Sequence, residues 1–181
     1  MKELSLHILD VAENGISAGG DLIGITVEEA PERNILSIEI TDNGNGVPKE
    51  VEAHIADPFF TTRTTRRVGI GLSLLKAAAQ RCGGHFAFTS KEGFGSTVFC
   101  HFLYNHIDRA PLGDMAQTFV ALLAGYPDVD FDYRHTISGK TFEMATREIR
   151  NELEGIPLNE PSVLAYLKSA IKEGLEALTT D

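Results

Sequence analysis

The 181 residues suffice for one domain of ordinary size and a smaller addition, and 43% of them are hydrophobic. A net charge of −10 argues against unspecific attraction to nucleic acid or to an anionic membrane. No run of about 18 apolar residues is present to span a bilayer, and the start Met1-Lys2-Glu3 lacks a signal-peptide layout.

Only Cys82 and Cys100 occur, far apart, so a disulfide framework or a zinc site is not expected. Two reduced thiols in a cytoplasmic protein are. Residues 3 to 18 read as a helix, with Leu4, Ile8, Val11 and Ala12 as its apolar stripe. His7, Asp10, Asn14 and Ser17 form a second, polar stripe on the same helix. Gly19-Gly20 ends it. Ile23, Ile25 and Val27 alternate, as do Leu36, Ile38 and Ile40, which predicts two strands around a turn at Pro31 to Asn34. The second strand runs into Asp42-Asn43-Gly44-Asn45-Gly46.

A short helix is expected near Lys49 to Ile55, then a loop. Leu72 to Arg81 reads as a helix closed by Gly83-Gly84. Phe86 and Phe88 mark a third strand, Gly93-Phe94-Gly95 a turn, and Thr97 to Phe102 a fourth strand. The expected architecture over residues 1–104 is an α/β (α+β) two-layer sandwich with helices on one face of a mixed sheet. Composition shifts near Tyr104. Residues 105–181 read as a small α+β extension: a helix over Asp114 to Leu123, a hairpin of Val129 to Thr136 with Thr141 to Met144, and two further helices over 146–154 and 161–178. The extension is expected to pack on the first segment.

Two glycine clusters bracket a basic stretch. Asp42 ends a strand, and Gly44 and Gly46 follow it. A carboxylate there can accept a hydrogen bond from the exocyclic amine of adenine, which guanine does not offer at that position; an ordinary Asp-Asn-Gly turn is the plain alternative. Gly69-Ile70-Gly71-Leu72 opens a helix, where free N–H groups and the positive dipole end suit phosphate. Between them lie Phe59, Phe60, Thr61, Thr62, Arg63, Arg66 and Arg67, readable as a lid whose arginines reach the same phosphates or as a solvated basic loop. Asp10 and Asn14 stand one helical turn apart. An asparagine oxygen suits Mg²⁺, and a carboxylate one turn earlier can orient or deprotonate an attacking group. Two solvated polar residues would show the same spacing. Thr97, just after Gly95, can place a hydroxyl near the base.

The order of these features resembles the ATP-binding domain shared by histidine kinases, DNA gyrase, the MutL mismatch-repair ATPase and the Hsp-type chaperone of that superfamily, the GHKL or Bergerat fold. The likeness is strongest to histidine-kinase catalytic domains: Pro58 to Thr62 matches their Pro-Phe-Phe-Thr-Thr, and Gly69 to Ser73 their Gly-x-Gly-Leu-Ser. Gly83-Gly84 and the turn Gly93 to Thr97 follow in order. The resemblance implies Mg-ATP under a mobile lid, with Asn14 on the metal, Asp42 on adenine, and Gly44, Gly46, Gly69 and Gly71 in the pocket and lid hinges. It places Asp10 where ATPases of the superfamily keep a general-base glutamate one carbon longer.

The metal-binding helix falls at the start of this sequence, which leaves no room for the hairpin that carries a sensor kinase's phosphoaccepting histidine. That layout is closer to small anti-sigma factor kinases, which phosphorylate a separate protein and can dimerise. The expectation is therefore ATP-dependent transfer of phosphate to a partner protein, with an ATP-gated binding switch and an ATPase subunit as alternatives. Two residues of the extension stand out. His106-Ile107-Asp108-Arg109-Ala110-Pro111-Leu112 is similar to the kinase histidine box, yet also reads as a connecting loop. Lys140, at a hairpin tip, reads either as a γ-phosphate contact or as an exposed turn lysine.

Overall fold

The computed structural model describes residues 2–57 and 70–180. Helix α1 (Leu4–Ser17) buries Leu4, Ile8, Val11 and Ala12, the stripe expected from their spacing. It ends where the N–H of Gly20 reaches back to the Gly15 carbonyl at 3.0 Å. Its start is closed from far along the chain: the N–H groups of Leu4 and Ser5 donate to the carbonyls of Pro111 and Leu112 at 3.0 and 2.7 Å. These carbonyls serve two of the amides that a helix leaves unpaired at its start.

Strands β1 (Leu22–Ala30) and β2 (Ile35–Asp42) form an antiparallel hairpin, joined by a single 3₁₀ turn at Pro31–Arg33. Asn34 closes the turn in the left-handed region, at φ 56°. Helix α2 is brief (Lys49–Glu52), shorter than expected because residues 53–57 fold into turns. Helix α3 (Ile70–Arg81) leads through Gly83-Gly84 into strands β3 (His85–Lys91) and β4 (Gly95–Leu103). Helix α4 (Met115–Gly125) opens on Asp114, whose carboxylate accepts from the N–H of Gln117 at 2.8 Å. Strands β5 (Asp130–Ile137) and β6 (Lys140–Ala145) follow, then helices α5 (Thr146–Glu152) and α6 (Pro161–Thr179).

The strands make one six-stranded mixed sheet in the order β3-β4-β2-β1-β5-β6. Among the described residues only β1 and β5 run parallel; the other pairs are antiparallel. Helix α4 lies in the crossover that carries the chain from β4 past β2 and β1 to β5. The extension therefore continues the sheet at β1. One apolar core runs through both segments, from Leu4, Ile8 and Phe102 to Phe119, Phe131 and Ile171. The Phe119 ring packs 4.5 Å from that of Tyr133 and edge-on to Phe131. Each such buried ring contributes about 2–3 kcal/mol.

Pleat alternation sends Ile23, Ile25, Val27, Leu36, Ile38, Ile40, Val98, Cys100 and Phe102 to the helix-covered face. The opposite face carries residues such as Thr26, Glu39, Thr97 and Arg134. No helix among the described residues is long and apolar enough to cross a membrane.

The polar stripe of α1 departs from expectation at His7, which is only 4% exposed and whose Nδ1 has no hydrogen-bond partner among the described residues. It lines a cleft of about 260 Å³ with Leu74, Arg81, Cys82, Phe102 and Asp108. Burial pushes the imidazole down from 6.5 to about 4. The unfolded chain takes up a proton below pH 6.5 that the folded chain refuses until about pH 4, so stability falls through that window and levels off below it. The loss should reach about 3 kcal/mol. Urea midpoints at pH 7 and pH 4 should show a larger drop for the wild type than for His7→Leu; equal drops would assign the acid sensitivity to other groups.

Candidate functional site

Asp42 is the last residue of β2 and lies opposite Ile23 on β1 and Ser96 on β4. That parity puts its side chain on the helix-covered face, at the edge where the core ends. Helix α1 comes close because residue 15 is glycine: a Cβ there would lie 2.7 Å from the Asp42 Cβ. The Asp42 carboxylate accepts from the N–H of Gly44 at 2.9 Å. Burial raises its pKa, and the N–H groups of Gly44 and Ser96 pull it partly back.

The loop after Asp42 is stapled on three sides. Asn43 Oδ1 accepts from the N–H groups of Asp21 and Leu22, both at 3.0 Å, and its amide donates to Asp21 at 2.7 Å. The Asn45 N–H donates to the Ala18 carbonyl at 2.8 Å, and its own carbonyl accepts from Gly93 at 2.7 Å. Gly44 is buried between Ala18 and Asp42. Gly46 has φ +62°, and a Cβ there would lie 2.2 Å from the Lys91 carbonyl oxygen, so no other residue fits. Thus Asp42, Gly44 and Gly46 stand together at the mouth of the helix layer, held against the end of α1 and the β3–β4 turn.

Asp10 and Asn14 lie on α1 one turn apart, both half-buried and both in contact with neighbouring groups. Asn14 precedes the Gly15 that abuts Asp42. Asp10 faces the first turn of α3, where a Cβ on Gly71 would lie 1.4 Å from Asp10 Oδ2. The structure therefore draws the strand-end carboxylate, the α1 pair and the start of α3 around one end of the sheet. Leu72, next to Gly71 in that turn, packs partly buried against the core. Phe59, Phe60, Thr61, Thr62, Arg63, Arg66, Arg67 and Gly69 lie outside the described residues. Ile70 opens α3.

Thr97 is placed differently from expectation. It pairs with Thr41 and Thr89, and that parity turns its side chain to the open face, away from Asp42. Ser96 is the residue opposite Asp42, and its Oγ meets Ser90 Oγ at 3.1 Å. Val98, Cys100 and Phe102 already give the buried parity of this strand, and Ser96 shares it.

Lys140 is also displaced. It pairs with Ile137, which aligns with Glu29 near the far end of β1, whereas Asp42 aligns with Ile23 at the other end. Its ammonium donates to the Thr180 carbonyl. His106 sits in the loop before α4, where its Nδ1 accepts from the Asp108 N–H at 3.1 Å. The guanidinium of Arg109 donates to the Tyr104 and Ala110 carbonyls and lies over the Tyr104 ring. The connecting-loop reading describes this geometry.

Among the described residues no group of three or more His, Cys, Asp or Glu is arranged to hold a metal ion. Asn14 and Asp10 are oxygen donors on one helix face, a partial set that fits Mg²⁺, which keeps waters and takes phosphate oxygens as its other ligands.

The chain is similar over about half of its length to signalling proteins. The sensor protein DivL of Caulobacter vibrioides is 35% identical over 95 residues, which cover 52% of this chain and 12% of DivL. The signal transduction histidine-protein kinase AtoS of Escherichia coli is 34% identical over 97 residues, covering 54% of this chain and 16% of AtoS. The matched regions are thus a small part of those relatives. Among solved structures, the N-terminal domain of a DNA repair protein superposes with a TM-score of 0.56 at 17% identity, covering 80% of this chain and 53% of the other, which is a likeness of fold. The model for histidine kinase-, DNA gyrase B- and HSP90-like ATPases matches residues 2–106, more than half of the chain, and the protein therefore belongs to that family of ATP-binding domains.

Proposed function

We propose that this protein binds Mg-ATP at the Asp42 end of the sheet and transfers the γ-phosphate to a residue of a separate partner protein. The observation that supports this most directly is the Asp42 carboxylate, held by backbone N–H groups at the rim of the helix layer beside Gly44. Lone pairs left over suit the exocyclic amine of adenine. Asn14 would hold Mg²⁺, with Asp10 one turn away on the same helix, and the ion would neutralise phosphate charge. Glycines 44, 46 and 71 let backbone approach the nucleotide, and the amides of the first turn of α3 suit the phosphates. The lid residues Phe60, Thr61, Thr62, Arg63, Arg66 and Gly69 belong to the same reading, which for them rests on sequence.

Catalysis of this kind is mostly positioning and charge stabilisation. The acceptor's hydroxyl oxygen or imidazole nitrogen attacks the γ-phosphorus, the bond to the β,γ-bridging oxygen breaks, and ADP leaves. Asp10 orients the acceptor and takes its proton when that acceptor is a hydroxyl.

The test is γ-labelled ATP with Mg²⁺ and the purified chain, alone and with extract of the source cells, following label into protein and free phosphate. Transfer to a second protein is the expected result. Steady phosphate release without transfer would make the chain an ATPase, and acid-labile label on the chain itself, lost in His106→Ala, would make it a self-contained histidine kinase. The metal assignment has its own check. Asn14→Ala should weaken ATP binding about tenfold or more with Mg²⁺ present and leave it unchanged in chelator, as one lost ligand implies. Equal losses in both conditions would remove the metal role.

A further inference from the structure

Gly71 is buried in the first turn of α3, and the space a side chain would take there is filled by another residue's carboxylate. A Cβ built on Gly71 would lie 1.4 Å from Asp10 Oδ2 and 2.7 Å from Asp10 Cγ. The first amides of a helix have no partner within the helix, and its positive end attracts anions. A carboxylate at this position stands beside the first turn of α3, which the reading above gives to the nucleotide phosphates. The same carboxylate lies one turn from Asn14 on α1, within reach of a cation held there. Asp10 thus lies beside the start of α3 and, once a cation is held at Asn14, within reach of that cation too.

We propose that Asp10 is an internal anion that holds the phosphate seat of α3 while no nucleotide is bound, and that it yields the seat when Mg²⁺ gives its carboxylate another partner. The inference rests on the Mg-ATP reading above and adds a cause for its metal dependence. Without the metal, an incoming phosphate meets like charge at Asp10 and competes with it for the same amides. With the metal, the carboxylate turns toward Asn14, and the amides and Gly71's open side are free. Asp10 is then a positioning residue before it has any part in proton transfer. The notch at Gly71 follows from the same geometry, since any side chain there would evict the carboxylate.

The discriminating experiment is calorimetric titration of ADP into the wild type, Asp10→Ala and Asp10→Asn, each in Mg²⁺ and in EDTA, with a thermal melt of each protein. The wild type should bind ADP at least tenfold more weakly in EDTA. Both variants should bind ADP in EDTA at least fivefold more tightly than the wild type does, so their metal dependence shrinks. A merely structural carboxylate predicts the reverse: a lower melting temperature and weaker binding in both buffers. Asp10→Asn keeps the shape and the capacity to accept from amides, so it decides the matter if Asp10→Ala fails to fold. Variants that bind in EDTA no more tightly than the wild type overturn the proposal and leave the ATP-binding reading intact. No binding by any of the three proteins in either buffer would overturn both.

Discussion

Asp42→Asn should abolish adenine-nucleotide binding and leave the fold as stable as before, or slightly more so. The two halves of this expectation come from the same burial. Asp42 sits on the helix-covered face at the end of β2, and burial raises its pKa, so the folded state holds the ionised carboxylate at some cost. Asparagine removes the charge and that cost. Its oxygen can still accept from the Gly44 N–H, now 2.9 Å from Asp42 Oδ1, so the loop keeps its bond. At the outer position, however, the NH₂ group would face the amine of adenine donor against donor. Losing a charge-assisted bond and burying an unmatched donor together cost about 3–5 kcal/mol, about a hundredfold or more in affinity. Calorimetric titration with ADP or ATP should give no measurable heat at concentrations that saturate the wild type, while the thermal midpoint holds or rises. Unchanged affinity would sink the pocket assignment. A fallen midpoint would mean that Asp42 serves the fold instead.

Much of the architecture was legible because its signals are periodic. The apolar stripe of α1 and the alternation of β1 and β2 are statements about which residues share a face, and burial reads the same statement back. The glycine stops at residues 19–20 and 83–84 closed α1 and α3 where the structure closes them. The same rule applied one step further would have found Ser96. Phe102, Cys100 and Val98 count down by twos to Ser96, and Thr97 belongs to the other set. Thr97 drew attention through its motif position, and the pleat overrules it.

Other features depend on long-range pairing, which local pattern does not carry. Nothing in residues 129–144 says that β5 lies parallel to β1, and that pairing sends Lys140 to the far end of the sheet from Asp42. His7 looked polar because its residue type is; its burial arises from α3 and the loop at Asp108, both distant in sequence. The contact between Asp10 and Gly71 likewise needs α1 and α3 to be side by side. Sequence offered each residue as a separate candidate for the nucleotide, and only packing shows that one fills the space left by the other.

Gly95→Ala should cost more stability than any other alanine exchange in the β3–β4 turn and should weaken nucleotide binding with it. Gly95 has φ +104°, a conformation that residues with a side chain seldom adopt. Its missing side chain also lets two stretches of backbone touch: a Cβ there would lie 1.9 Å from the Asp42 carbonyl oxygen and 2.9 Å from Asn43 Cα. Neither atom belongs to a flexible side chain, so β4 or the end of β2 has to move, and the Asp42–Ser96 pairing opens. Backbone strain of about 1–3 kcal/mol and overpacking of about 1–3 kcal/mol add to about 2–6 kcal/mol, against a total stability of about 5–15 kcal/mol for an ordinary domain. Gly93→Ala separates the two terms. Gly93 has φ +79°, but nothing lies within 4 Å of where its Cβ would be, so strain is its whole cost. Urea denaturation should rank Gly95→Ala well below Gly93→Ala, and Gly93→Ala should bind ADP as the wild type does. If the two variants are equally stable, the close approach of Gly95 to Asp42 is wrong. If Gly95→Ala is destabilised yet binds ADP with unchanged affinity, the strand end can shift without disturbing the pocket, and Asp42 is not the fixed point around which the nucleotide is placed.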